Sequence, residues 1–178
     1  KLDVGLEYPT RVPLGLISSA ENVAVKITTD SGLYGWGEAS PFAPITGDSQ
    51  GSIYVTAGHL AALVKGKDAL DIESRMGEIN RFVVGEPSIR SAFDMALYDL
   101  RAKDAGLPLY ALLGGGRREI RTDLTIGWQD SVEETVAFAD RILSKGFNAI
   151  KMKVGRSGLE DVPHVQAVRE LAGADIAI

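Results

Sequence analysis

Two lysines, Lys151 and Lys153, flank a single methionine in the stretch AIKMKVG. Side chains alternate faces along a strand, so residues two apart aim their ammonium groups at one place. Spaced about 6.6 Å apart at the backbone, the two charges would repel by roughly 2.5 kcal/mol at an effective dielectric of about 20. Repulsion of that size favours the loss of one proton, and a neutral lysine is a general base or a Schiff-base amine. On a bare strand edge the same pair would be a solvated surface feature, so its setting decides its meaning.

The setting is a regular alternation of strand and helix. RTDLTIG reads as a strand, SVEETVAFADRILSKG as a helix, NAIKMKVG as a strand, EDVPHVQAVRELAG as a helix and DIAI as the opening of a third strand. Such units build parallel sheets or (β/α) barrels, whose C-terminal strand ends carry the chemistry. Lys151 and Lys153 lie toward that end of their strand. Thr125 lies near the end of the preceding one, where its hydroxyl could bond a substrate carboxylate. Two and a half units cannot close a barrel, so further units are expected to continue the chain.

Residues before this region follow another pattern. KLDVGLEY and NVAVKITTD alternate apolar with polar residues, and Asp30-Ser31-Gly32 has the chemistry of a hairpin turn before LYGWGEA. PTRVPLGLISSA and SPFAPITGDSQGS read as irregular excursions, the second ending in a helix N-cap signal. Helical periodicity then takes over, most clearly in PSIRSAFDMALYDLRAKDAG, where Ile89, Ala92, Phe93, Ala96, Leu97 and Leu100 share a face between Pro87 and Gly106. The glycine run Gly114 to Gly116, before Arg117 and Arg118, marks the expected boundary. The expected fold class is α+β over residues 1–118, a three-stranded antiparallel sheet followed by helices. The first two and a half βα units of a (β/α) barrel follow over residues 119–178.

A net charge of −5 over 178 residues leaves no basic stripe, which argues against nucleic acid and against an anionic membrane surface. Cysteine is absent, which rules out disulfides and thiolate metal sites and suits a cytoplasmic protein. Gly35-Trp36-Gly37-Glu38 and the Gly114 run lack the strand–loop–helix spacing of phosphate loops and read as turns and close-packing sites. His59 and His164 fall in helices without a partner at metal-ligand spacing, so both read as structural or exposed. Glu133 and Glu134 suit the first turn of a helix, where the macrodipole favours negative charge.

Over nearly its whole length the chain resembles the muconate-lactonising subgroup of the enolase superfamily, and within it the dipeptide epimerases. TDSGLYGWGEASPFAPITGDS is similar to the hairpin and following loop of that family's capping domain. SAFDMALYDLRAKDAGLPLYALLGG is similar to its most recognisable helix and turn, and TDLTIG with GFNAIKMKVG to its first two barrel strands. The resemblance implies Mg2+-dependent removal of a proton α to a carboxylate, giving an enediolate. It also implies that Lys153 is the base and that Lys151 assists it and helps neutralise the carboxylate, while Thr125 stays a candidate by its position alone, with packing in the strand as the competing role. The opposing acid or base and the carboxylate metal ligands are then expected after Ile178, with Asp175 not among them. Residues 1–178 alone are expected to lack epimerase activity.

The two excursions correspond to the family's substrate-closing loops. Leu14, Gly15, Leu16 and Ile17 suit a dipeptide with a small or hydrophobic side chain, while Arg11 keeps an acidic one open. Thr46 and Asp48 are candidates for substrate contact, with turn capping as the competing role. A homo-oligomer is expected. The alternatives are muconate cycloisomerisation or o-succinylbenzoate synthesis with the same base pair, and a non-catalytic relative that binds a small acid.

Overall fold

Alternation over the first forty residues builds a three-stranded sheet in the order β1 (Leu2–Val12), β2 (Gly15–Thr28), β3 (Tyr34–Ala39). The computed structural model describes residues 1–12 and 15–178, and Leu14 lies outside the described residues. β3 runs antiparallel to β2 from Val23↔Ala39 to Thr28↔Tyr34, and Gly32 takes a positive φ of 84° in the turn between them. The first excursion is not irregular as expected: β1 continues through Pro9 to Val12 and β2 begins at Gly15. β1 is an edge strand, where a proline's missing N–H interrupts no ladder if that side faces away from the neighbour.

The helices α1 (Ala43–Thr46), α2 (Gln50–Val64), α3 (Ile72–Phe82), α4 (Pro87–Asp104) and α5 (Leu109–Leu112) follow. Ser49 caps α2 in a reciprocal pair with Ser52, and Asp71 caps α3 by accepting from the Ser74 N–H. All six residues of the expected α4 face are buried, and they join Val23, Val25, Ile53, Leu60 and Ile79 in the core. Burying one such large apolar side chain contributes about 1.5–3 kcal/mol. The Gly-Trp-Gly stretch is a close-packing site. A Cβ on Gly35 or Gly37 would overlap the backbone carbonyls of Ala96 and Ala92, so only glycine lets β3 approach α4 this closely. Asp99 of α4 fixes that approach by accepting from the Trp36 N–H at 2.8 Å.

Residues 1–5 and 19–117 make one compact unit, and residues 6–18 with 118–178 make another. In the second, β4 (Leu124–Ile126) and β5 (Ile150–Met152) form a parallel pair. They alternate with α6 (Val132–Ser144) and α7 (Asp161–Ala172). The expected third strand is represented by one parallel bridge, Ala149 to Ala177. Among the described residues no helix is long and apolar enough to cross a membrane.

Candidate active site

Register decides which side chains of the second unit share a face. Leu124 pairs with Ile150, Thr125 with Lys151 and Ile126 with Met152. Leu124, Ile126, Ile150 and Met152 pack with Ala139, Ile142 and Val168, so the apolar face of the pair lies against α6 and α7. Strand alternation then sends Thr125 and Lys151 to the face away from those helices. Lys153 follows Met152 and belongs to that same face, because its N–H donates to the Ile126 carbonyl at 3.0 Å and extends the ladder by one step. Lys151 is exposed and Lys153 half-buried. The structure therefore brings together Thr125, Lys151 and Lys153, at the C-terminal ends of two parallel strands.

Beside Lys153 lies a cavity with room for about one water molecule, lined by Gly127, Trp128, Val154, Arg156 and His164 among others. Its walls contain a network that the sequence did not disclose. Arg156 Nη1 meets His164 Nε2 at 2.8 Å, and His164 Nδ1 meets Thr135 Oγ1 at 2.7 Å. The Gly155 and Arg156 amides donate to Asp161 Oδ2 at 2.6 and 2.9 Å. The Gly155 N–H, reinforced by the Arg156 amide and its positive charge, holds the Asp161 carboxyl below the ordinary carboxylate range. His164 is thus structural, as one of its two readings had it, but engaged through both ring nitrogens. Asp161 and His164, three apart on one helix, are its trace in the sequence.

The other candidates sit as follows. Gly15 opens β2 with a φ of 128°, and the Leu16 side chain is exposed. Arg11, at the end of β1, pairs with Asp130 at 2.5 Å, and its carbonyl accepts from the Trp128 N–H at 3.1 Å. A Cβ on Gly127 would stand 2.9 Å from the Arg11 carbonyl oxygen, so glycine at that strand end lets β1 pass. In the first unit, Thr46 Oγ1 accepts from the Phe42 N–H at 2.9 Å and donates to the buried Asp48, which occupies its hydroxyl within its own turn.

A magnesium site needs converging oxygen ligands. Among the described residues no three His, Asp or Glu side chains converge, and Asp161, which lines the cavity beside Lys153, is already engaged by two amides. These residues do not make up such a site.

Residues 2–114 match the family described as mandelate racemase / muconate lactonizing enzyme, N-terminal domain. The D-Ala-D/L-Ala epimerase of Cytophaga hutchinsonii is 41% identical over 100% of this chain and 48% of its own length. The L-Ala-D/L-Glu epimerase of Bacillus subtilis is 38% identical over 100% of this chain and 49% of its own length. The chain thus spans about half the length of the curated relatives it matches. Among solved structures, the dipeptide epimerase of Cytophaga hutchinsonii with Mg and D-Ala-L-Val superposes with a TM-score of 0.93 at 41% identity. That match covers 99% of this chain and 48% of the other. The dipeptide epimerase of Enterococcus faecalis with Mg and L-Leu-L-Tyr gives 0.91 at 34% identity, covering 98% and 49%.

Proposed function

The chain belongs to the mandelate racemase / muconate lactonizing enzyme family, and from that premise we propose that the protein is a dipeptide epimerase working by reversible proton transfer at the substrate α-carbon. The observation that carries this reading is the placement of Lys153 and Lys151 on one face at the C-terminal ends of parallel strands, with Thr125 opposite Lys151. Lys153 takes the α-proton. Lys151 lends positive charge to the carboxylate, which gains electron density as the enediolate forms. Thr125 donates its hydroxyl proton to a carboxylate oxygen. Return of a proton from the opposite side, by a group expected beyond residue 178, inverts the centre.

Mg2+, when bound, supplies further charge neutralisation at the substrate carboxylate. Its ligands are expected beyond residue 178, which is why the 178-residue chain alone is expected to be inactive. For the substrate we propose a dipeptide with a small or hydrophobic side chain, received near Gly15 and Leu16. The Arg11–Asp130 pair supports this, because it occupies the cation that an acidic side chain would seek. Deuterium incorporation at the α-carbon in D2O, dependent on Lys153, tests the function.

A further inference from the structure

The chain around Lys153 is pinned on both sides. Its own N–H donates to the Ile126 carbonyl, and three residues later Arg156 fastens the segment again. The Gly155 and Arg156 amides hold Asp161, Arg156 Nη1 meets His164, and Nη2 donates to the Gln129 carbonyl at 2.5 Å. The guanidinium also lies 5.8 Å from the centre of the Trp128 ring. One side chain thereby joins the segment after β5 to the segment after β4 and to the first turns of α7.

Hydrogen-bond polarity assigns the protons. A guanidinium only donates, so His164 Nε2 accepts, and the imidazole is neutral with its proton on Nδ1. That Nδ1–H donates to Thr135 Oγ1, and the threonine hydroxyl gives its own proton to the Ser131 carbonyl at 3.0 Å. The relay ends on the residue that caps α6. The buried Thr135 ties it to the core of the unit.

We propose that Arg156 and His164 are positioning residues for Lys153, locking the ends of β4 and β5 together through a neutral His164. The proposal rests on the reading of Lys153 as the base. Charged groups facing the ring are Arg156, Asp161 in the first turn of α7 and Glu133 in the first turn of α6. A proton on Nε2 would set two donors against each other at 2.8 Å, so the contact requires the neutral ring.

The test uses the full-length enzyme. His164→Gln offers an amide oxygen to Arg156, His164→Phe offers none, Arg156→Gln removes the charge and Arg156→Lys keeps it without the fork. Both His164→Phe and Arg156→Gln are expected to lower kcat by about 10- to 100-fold with KM changed less than about threefold. Each should also displace the 13Cε resonance of Lys153 in the substrate-free protein. His164→Gln is expected to keep kcat within about threefold, a rescue by the conservative variant that simple loss of stability would not produce. The 15N signals of His164 should show a protonated Nδ1 and a bare Nε2. Wild-type kcat in a folded His164→Phe variant, an unmoved Lys153 resonance in Arg156→Gln, or a ring protonated at Nε2 would each overturn the proposal. If no dipeptide is turned over, the functional reading fails, while the two resonance measurements still decide this one. If His164→Phe does not fold, Arg156→Lys answers by the same readouts.

Discussion

Thr125 and Lys151 stand directly opposite one another across the parallel β4–β5 pair. At strand spacing, about 4.8 Å, one carboxylate can accept from the hydroxyl and the ammonium together. Valine replaces the hydroxyl with a methyl of similar shape. A hydrogen bond to a charged group is worth about 1.5–3 kcal/mol, so Thr125→Val should lower kcat/KM at least about tenfold with the fold intact. Unchanged kcat/KM would reduce Thr125 to a packing residue.

Arg11 and Asp130 form an exposed pair, 53% and 74% accessible, and such pairs are worth at most about 1 kcal/mol. That is enough to bias Arg11 and little enough to undo. Asp130→Asn should raise kcat/KM for Ala-Glu relative to Ala-Leu by up to about fivefold. A constant ratio would show that Arg11 does not face the substrate side chain.

Gly37 presses on the Ala92 carbonyl, and backbone cannot step aside as a side-chain tip can. Gly37→Ala should cost on the order of 3 kcal/mol in urea unfolding. Gly58, inside α2 with nothing near its missing Cβ, is the control, and Gly58→Ala should stabilise by about 0.5–1 kcal/mol. Equal effects from the two would contradict the close-packing role.

Asp161 has a carboxyl held below its ordinary value of 3.8, first by the Gly155 N–H. A carboxylate depressed in the folded state stabilises fully above its unfolded value, and the contribution disappears as pH falls through the folded one. The stability difference between wild type and Asp161→Asn should therefore be constant near neutrality and shrink below about pH 4. A difference independent of pH down to acid unfolding would remove the ionic contribution.

The α4 face was legible because a 3.6-residue period with six apolar positions has one buried solution, and Pro87 and Gly106 mark its ends. The shared face of Lys151 and Lys153 was legible for the same reason at period two. Pro9 hid the continuation of β1, since a proline reads as a break until the strand is known to lie at an edge. Nothing in the sequence tied residues 6–18 to the second unit: the links, Trp128 N–H to the Arg11 carbonyl, Arg11 to Asp130, and Lys145 to Glu7 and the Tyr8 hydroxyl, join ordinary residues far apart in the chain. His164 was legible only as structural or exposed, and its pairing with Arg156 escaped notice because the partners that complete the network, the Gln129 carbonyl and Thr135, are distant in sequence and ordinary in type.

Hydrogen-to-deuterium exchange at the substrate α-carbon tests the proton-transfer reading most directly. The full-length protein, incubated in D2O with Mg2+ and a small set of dipeptides, should incorporate one deuterium at the epimerised centre. Chelation of the metal or the Lys153→Ala substitution should abolish it. Incorporation at the wild-type rate in a folded Lys153→Ala variant, or none with any dipeptide from a folded and metal-loaded wild type, would contradict the assignment of Lys153 as the epimerase base.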